Sequence, residues 1–207
     1  MDEPIKRSIS FFDTQFCKQV EAREFALNPF EEVALPYLRG QVLDLGCGLG
    51  NLTIEAARRG CSILALDASP TAIEHIRGVA AAEGLPIEAS LADLDTQRIT
   101  RDFDVIVSIG LLMFLRRDCS LRLLRNIQGQ VRPGGYAIVN VLVEGTTYLD
   151  MFEPGQYYLF GHRELQDSFA EWEILESRHD TFEAASRNRQ EVYNYGSLQA
   201  IRLNNSH

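Results

Sequence analysis

The sequence lacks the features that would assign it to several specialised classes of protein. Its four cysteines form no Cys-x-x-Cys pair and lie in no histidine cluster at metal-ligand spacing, so we expect neither a metal site nor a disulfide framework. No apolar run approaches the roughly 18 residues that a membrane span needs. No apolar stretch of signal-peptide length follows the charged amino terminus. These absences predict a cytoplasmic protein with reduced cysteines and no membrane contact.

Positive charge is also scarce. The chain has 20 lysines and arginines against 29 acidic residues, which gives a formal net charge of −9. Because nucleic acids are held mainly by clustered lysine and arginine, we expect no nucleic-acid partner and a small-molecule substrate instead. The 207 residues, of which 45% are hydrophobic, suit one ordinary globular domain, present as a monomer or homodimer.

From residue 41 onward, short apolar runs alternate with helical patterns. Nearly unbroken runs of this kind are expected of parallel strands that are covered on both faces. The runs are Val42–Leu43, Ile63–Leu66, Val105–Ile109 and Tyr136–Val143. The pattern therefore predicts an α/β protein built from right-handed βαβ units.

Helix boundaries can be read between these runs. Ser69 followed by Pro70 predicts a helix start, and Asp118 or Ser120 predicts the start of a helix that runs toward Gln130. The turn Arg132–Gly135 then ends that helix. A further helix is predicted over His162–Phe169.

The two ends of the chain differ from its middle. Trp172–Arg178 and Ser197–Leu203 resemble strands joined by a polar stretch without a helical pattern, which predicts an antiparallel pair at a sheet edge. Residues 1–40 contain helical segments but no strand run. We therefore interpret 1–40 as a helical cover, 41–143 as a ligand-binding core, and 144–207 as a lid segment, a helix and the strand pair.

The strongest chemical signal is a glycine-rich turn directly after the first strand. Val42 to Gly50 reads V-L-D-L-G-C-G-L-G and leads into a helix near Asn51. Glycines let a ligand approach the backbone, and the first N–H groups of the following helix can face a polar group. A tight strand-to-helix turn without a ligand is the alternative.

An acidic residue, Asp67, ends the second strand. At this point of a nucleotide-binding fold a carboxylate can accept both hydrogen bonds of a ribose diol. The alternative is a favourable charge beside the start of the helix at Ser69. Its position at the strand end and its spacing from the glycine turn favour the ribose role.

A dinucleotide-dependent oxidoreductase would use a similar turn. Its fingerprint has a third glycine three residues after the second, but that position from Gly48 is Asn51. Asp44 also stands just before the first glycine, where a carboxylate suits a cationic amine better than a pyrophosphate. Both details favour a ligand that carries an amino acid.

The order of motifs resembles that of class I S-adenosylmethionine-dependent methyltransferases. The segments D-L-G-C-G-L-G, L-A-L-D-A-S-P, A-D-L-D, D-F-D-V-I-V-S and R-P-G-G-Y follow one another between residues 41 and 143. The resemblance implies a Rossmann-like, doubly wound sheet of seven strands, mostly parallel with an antiparallel carboxyl-terminal hairpin. It also implies S-adenosylmethionine as methyl donor.

Binding roles follow from the resemblance at matching positions. It implies that Asp44 and the turn with Gly46, Cys47, Gly48 and Gly50 hold the methionine part, that Asp67 with Ala68 holds the ribose, that Ala92, Asp93 and Leu94 contact adenine, and that Ser108 and Ile109 face the transferable methyl group. Without the other motifs, Asp93 reads as a plain loop carboxylate.

Within that family, the chain is most similar to the tellurite-resistance methyltransferases. Leu111–Leu115 resembles their V-L-M-F-L stretch, although core packing is the alternative for these leucines. Phe11–Asp13 and Phe160–Trp172 are also similar. The chain departs from the pattern where Glu183–Ser186 replaces a His-Arg pair. The acceptor implied is therefore broad: a chalcogen oxyanion, a thiol or another small metabolite.

Methyl transfer needs little beyond alignment, because the sulfonium is already a strong methyl donor. Effective molarities of aligned reactants correspond to about 7–11 kcal/mol of barrier, so we expect direct in-line displacement without a metal or an enzyme nucleophile. An acceptor that must lose a proton would need a base, for which His162, His179 and Asp180 are candidates. For each histidine the alternative is an ordinary surface or hairpin position.

Two questions about the acceptor side stay open in the sequence. The aromatic-rich segment 144–160 predicts either a lid over the donor or a packed connection. Tyr148, Tyr157 and Tyr158 in this segment could position the acceptor. Arg178, Arg187 and Arg189 could hold an anionic acceptor or could simply be solvated. A non-catalytic nucleotide-sensing module of the same fold is a further alternative.

Overall fold

The computed structural model describes residues 7–181 and the backbone of 197–201. The helices are α1 (Arg7–Ala22), α2 (Pro29–Ala34), α3 (Asn51–Arg58), α4 (Pro70–Glu83), α5 (Arg117–Gln130) and α6 (Glu164–Ser168). The strands are β1 (Gln41–Leu45), β2 (Ser62–Asp67), β3 (Ile87–Leu91), β4 (Phe103–Ile109), β5 (Val131–Asn140), β6 (Glu173–Arg178) and β7 (Ser197–Ile201). Short 3₁₀ helices cover Leu35–Tyr37 and Leu112–Phe114.

All seven strands join one sheet in the order β3-β2-β1-β4-β5-β7-β6. The five strands from β3 to β5 run parallel, whereas β7 pairs antiparallel with both β5 and β6. This confirms the predicted mostly parallel α/β class. Chain order reverses between β1 and β4, and ligands of such sheets bind in the crevice at the carboxyl ends beside that reversal.

Both faces of the sheet are buried. Leu43 of β1 and Ile106 of β4 pack into the core on the α5 side, while Val42 and Val105 pack into the core beside α3. Alternate residues of one strand thus enter opposite cores, as a two-residue side-chain period requires. The apolar runs of β1 and β4 are unbroken because both faces of these strands are buried.

Local sequence sets several helix ends. Ser69 accepts a hydrogen bond from Ala72 N through its hydroxyl, and α4 begins at Pro70 as predicted. Gly84 ends that helix with a φ of 65°. At α2, Asn28 and Glu31 form a reciprocal capping box, which satisfies backbone N–H groups that otherwise have no partner.

Other boundaries differ from the sequence-based expectation. The predicted helix start at Asp118 or Ser120 was wrong, because α5 begins at Arg117 after an extended Arg116 without a side-chain cap. The segment Arg132–Gly135 does not form a separate turn. It belongs to β5, where the register against β4 shifts between Phe103 and Val105.

Three further elements needed correction. The structure contains β3, which no apolar run had predicted, since this edge strand is only partly buried. The helix predicted over His162–Phe169 is shorter, and β5 ends at Asn140 rather than at Val143. Leu203, the predicted end of the last strand, lies outside the described residues. Within the part of the chain that the structure describes, no helix is both long and apolar enough for a bilayer.

Candidate donor-binding cavity

A cavity of about 560 Å³ opens at the carboxyl ends of β1, β2, β4 and β5. Side chains of α1 and the start of α2 line its other side. Binding pockets for small molecules commonly have volumes of about 300–1,000 Å³. The cavity is therefore large enough for one nucleoside-sized ligand and a small second molecule, and it lies at the position predicted from the strand order.

The glycine turn forms the floor of this cavity. Gly46, Gly48 and Gly50 have φ values of 70°, 53° and 73°, which side chains with a Cβ rarely adopt. A Cβ on Gly50 would lie 2.6 Å from Ile76 Cγ1. At Gly50, therefore, both backbone conformation and close packing require glycine.

Asp44 lies at the base of the cavity with only 5% of its surface exposed. Its Oδ2 accepts a hydrogen bond of 2.7 Å from Thr53 Oγ1, a residue of α3. Burial raises the pKa of Asp44 to about 7, against the opposing effect of the Thr53 hydrogen bond. The described lining contains no cationic partner for Asp44, and a buried carboxylate of this kind gains most from a ligand that brings a positive charge.

Asp67 connects the glycine turn to the start of α4. Its two carboxylate oxygens accept hydrogen bonds from Gly48 N at 2.9 Å and from Ser69 N at 2.8 Å. Burial raises the pKa of Asp67, and these backbone hydrogen bonds oppose the shift. A carboxylate has about four lone-pair positions, so the backbone N–H groups leave acceptor capacity for a hydroxyl donor in the cavity.

Sequence reasoning missed a third carboxylate in the cavity wall, that of Glu31. Its Oε2 accepts a hydrogen bond of 2.8 Å from Asn28 N within the capping box. Burial raises the pKa of Glu31, and its charge contributes to the raised pKa of Asp44. The sequence signal was Asn-Pro-x-Glu at residues 28–31, which predicts a helix cap but not a place beside a cavity.

The helix α1 covers the glycine turn. Phe16 lies 3.2 Å from the position that a Cβ on Gly48 would occupy. Asp13 accepts a hydrogen bond from Ser69 Oγ and a longer one, 3.3 Å, from Thr71 N. One carboxylate thus holds α1 to the start of α4 beside the cavity.

Some of the residues assigned to the adenine region and to the strand ends line the cavity, and others do not. Ala68, Leu94 and Ile109 line the cavity, whereas the described lining does not include Ala92, Asp93 or Ser108. The exposed Asp93 carboxylate accepts hydrogen bonds from its own loop, 2.9 Å from Thr96 Oγ1 and 3.2 Å from Asp95 N. These hydrogen bonds are those expected of a loop carboxylate, and the contact of Asp93 with adenine stays a prediction. Cys47 lines the floor as a buried thiol whose pKa burial raises strongly.

The far end of the cavity is apolar. The 3₁₀ turn after β4 supplies Met113 and Phe114, and the segment 144–160 supplies Met151. The Phe114 ring lies 5.1 Å from that of Phe12 and 4.8 Å from that of Phe152. Leu111, Leu112 and Leu115 are buried in the main core, as the packing interpretation predicted, and Leu111 also lines the cavity.

The segment 144–160 is packed against this end. Phe160 N donates to Leu142 O at 3.1 Å, and Tyr158 N donates to Met113 O at 3.0 Å. Tyr148, Tyr157 and Tyr158 do not belong to the described lining. The Tyr158 hydroxyl donates to Glu164 instead, so it supports the segment rather than the cavity.

The three candidate bases are not brought to the cavity. His162 precedes α6 and His179 follows β6, and their ring centroids are 5.3 Å apart. Neither histidine, nor Asp180, belongs to the described lining. The exposed Arg178 forms an ion pair with Glu176, in which Nε lies 2.5 Å from Oε1. Arg187, Arg189 and the segment 183–186 lie outside the described residues.

Sequence comparison identifies a matching family and several named relatives. A model of the family described as tellurite resistance protein TehB matches residues 31–191. A probable S-adenosyl-L-methionine-dependent methyltransferase TehB of Haemophilus influenzae is 30% identical over 137 residues, which are 66% of this chain and 47% of the relative. Hemagglutinin 1 of Eikenella corrodens is 30% identical over 135 residues, 65% of this chain and 44% of the relative.

Comparison of folds finds solved structures of similar architecture. The crystal structure of TehB from Haemophilus influenzae superposes with a TM-score of 0.75 at 21% identity, covering 94% of this chain and 67% of the other. At that identity the likeness establishes the fold alone. The chain spans a little under half the length of the two curated relatives.

Proposed function

The chain belongs to the TehB family, and we propose that it is an S-adenosylmethionine-dependent methyltransferase that acts on a small molecule. The observation that carries the proposal is the convergence of Asp44, the glycine turn and Asp67 on one cavity at the carboxyl ends of β1 and β2. These residues occupy the matching motif positions, and the structure brings them together from separate elements.

The residues present fit the donor. Asp44 is a buried carboxylate beside open space and suits the ammonium group of the methionine part. Asp67 retains acceptor positions for the two ribose hydroxyls. Asn51 also lines the cavity, and its buried Oδ1 has no hydrogen-bond partner among the described residues. A ligand with hydrogen-bond donors would satisfy that oxygen.

The proposed reaction is a direct displacement. The donor supplies an activated methyl group on a positively charged sulfur. The chain binds it with the Asp44 and Asp67 carboxylates, holds the adenosine side against Leu94, and directs the methyl group past Ile109 toward the apolar end. Met113, Phe114 and Met151 exclude water there and orient the acceptor.

The division of the chain follows from these roles. We propose residues 1–40 as the cover, because the described helices α1 and α2 of this segment both line the cavity. Residues 41–143 form the donor-binding core. In 144–207, the connection 144–160 closes the acceptor end, and we propose the whole as one methyltransferase domain.

The dinucleotide alternative is disfavoured by charge. A pyrophosphate at the glycine turn would lie near Glu31, Asp44 and Asp67, and like charges in a poorly solvated site repel strongly. No lysine, arginine or histidine among the described lining residues compensates for this. A non-catalytic sensor with the same cavity would bind the donor without transferring its methyl group.

Calorimetry with S-adenosylhomocysteine and NAD tests the proposal. We expect binding of S-adenosylhomocysteine and not of NAD, and an affinity at least tenfold weaker in Asp67→Ala, since two charge-assisted hydrogen bonds are lost. Asp118→Ala is the matched control, because the Asp118 carboxylate is exposed on α5 and outside the described lining. Binding of NAD alone would replace the proposal with the oxidoreductase reading.

A further inference from the structure

The charged side chains in the described lining of the cavity are all acidic. Its described lining includes Glu31, Asp44 and Asp67, and none of the described lining residues is lysine, arginine or histidine. Arg178, which the sequence had suggested as an anion ligand and which lies within the described residues, is exposed on β6 and paired with Glu176. Within the described lining, an anion would therefore meet three acidic side chains and no cationic one.

The cavity lining also contains uncharged polar side chains such as Ser8 and Asn140, but the acceptor end is largely apolar. Its walls are Phe12, Met113, Phe114, Leu142 and Met151, an aromatic and thioether surface. Moving a charged oxyanion from water into such surroundings carries a desolvation penalty of several kcal/mol per ion. Compensation requires cationic partners or several N–H donors.

The same walls suit a neutral molecule. Aromatic rings and methionine sulfur atoms pack well against flat or polarisable apolar ligands. Aromatic faces also stabilise a cation that develops next to them, and the carboxylates of the cavity favour positive charge through space. An uncharged nucleophile that becomes cationic on methylation is therefore matched to this site both before and after the reaction.

We infer that the methyl acceptor is a neutral, largely apolar molecule with an uncharged nucleophilic nitrogen or sulfur atom, and not a chalcogen oxyanion. The inference rests on the proposed function. The lone pair of the acceptor atom forms the new bond to carbon while the bond between sulfur and the methyl group breaks. The bonding pair stays on the donor sulfur, which becomes a neutral thioether, and the acceptor takes the positive charge. An acceptor with an N–H then loses a proton to water.

Radiolabelled methyl transfer in the full chain tests this inference. The probes are isoquinoline as a neutral nitrogen nucleophile, tetrahydrothiophene as a neutral sulfur nucleophile, and selenite and tellurite as oxyanions, all at equal concentration. We expect transfer to at least one neutral probe at a rate at least tenfold above that to either oxyanion. Donor binding is measured separately with S-adenosylhomocysteine.

A charge variant distinguishes electrostatics from shape. Met151→Lys places a cation at the apolar end, and Met151→Gln is the neutral control of similar length. Transfer to the neutral probe should fall at least fivefold further in Met151→Lys than in Met151→Gln, since the methylated product is a cation. Equal rates in the two variants would contradict the inference.

The other possible results of these assays also decide between the inference and its alternatives. Faster methylation of selenite or tellurite than of both neutral probes would overturn the inference, as would transfer to no neutral probe by a chain that binds S-adenosylhomocysteine. If Arg187→Gln/Arg189→Gln then abolished the oxyanion reaction, those two arginines would be the missing cations. Absence of S-adenosylhomocysteine binding would instead refute the proposed function.

Discussion

Asp44 is the residue whose chemistry depends most on its surroundings. It is 5% exposed, lies near two other acids and, among the described residues, has the Thr53 hydroxyl as its hydrogen-bond donor. Because its pKa is raised to about 7, the empty site holds a protonated Asp44 in mildly acidic solution. Binding of a ligand with an ammonium group favours the carboxylate and so releases a proton.

This predicts a pH-dependent affinity. Between pH 6 and pH 8 the affinity for S-adenosylhomocysteine should rise about tenfold, as the fraction of ionised Asp44 rises through a pKa of about 7. Calorimetry in buffers of different ionisation enthalpy would count the released proton. Asp44→Asn should bind more weakly at pH 8 and lose this dependence. An affinity that is flat in the native chain would contradict the role of Asp44.

The unliganded chain should show the complementary effect on stability. A carboxyl whose folded pKa is raised stabilises the fold fully below its unfolded pKa of about 4, and this contribution is lost as the pH rises through about 7. At pH 8, urea unfolding should therefore find Asp44→Asn more stable than the native chain by on the order of 1–3 kcal/mol. At pH 5 the difference should be smaller, and a constant difference would count against a buried charge.

Gly50 gives a separate test at the same scale. Gly50→Ala should reduce the free energy of unfolding by about 2–4 kcal/mol, because it combines a strained φ with a contact of 2.6 Å to Ile76. Gly78→Ala is the control, since Gly78 lies in α4 with nothing near its Cβ position and should stabilise by about 0.5–1 kcal/mol. Urea unfolding measures both. Equal effects would mean that Gly50 is not conformationally required.

At this scale the sequence predicted part of the cavity lining. Asp44, Asp67 and the glycines were found because strand ends followed by glycine meet at one edge of a parallel sheet. Glu31 was not found. Its place in the cavity depends on how α2 packs against the sheet, and no local pattern determines that.

At the scale of elements, the contact between α1 and the start of α4 holds α1 in place over the cavity. Asp13 receives hydrogen bonds from Ser69 and Thr71, the first of which lowers its pKa most. Asp13→Ala should leave α4 capped by Ser69 but speed amide hydrogen exchange in α1 about tenfold, since a charge-assisted bond is worth about 1.5 kcal/mol. Hydrogen-exchange mass spectrometry measures this.

The control is Gln15→Ala, an exposed position on the same helix. It should leave exchange in α1 within twofold of the native rate. If Asp13→Ala and Gln15→Ala behave alike, Asp13 does not hold the cover.

Element types were more predictable than element ends. The buried strands β1, β2 and β4 are short apolar runs, and Ser69-Pro70 is a strong helix start. The edge strand β3 was missed because only Ala89 of its five residues is buried, so it has no continuous apolar run. The start of α5 was misplaced because Arg116 provides no capping side chain, so the helix begins where packing rather than capping decides.

At the scale of the whole molecule, the sheet order explains why one cavity collects residues that are distant in sequence. The reversal between β1 and β4 opens a crevice at their carboxyl ends, and the amino-terminal helices cover it. The sequence predicted this architecture through its ordered motifs. It could not predict the chemistry of the acceptor end, because Met113, Phe114 and Met151 look like ordinary core residues until the fold places them around open space.

The most direct test of the whole account is a crystal structure of the chain with S-adenosylhomocysteine. We predict density for the ligand in the 560 Å³ cavity, with its ammonium group at Asp44, its ribose hydroxyls at Asp67 and its sulfur pointing toward Met113 and Met151. An empty cavity in crystals soaked at saturating ligand, or a ligand bound elsewhere on the chain, would contradict it.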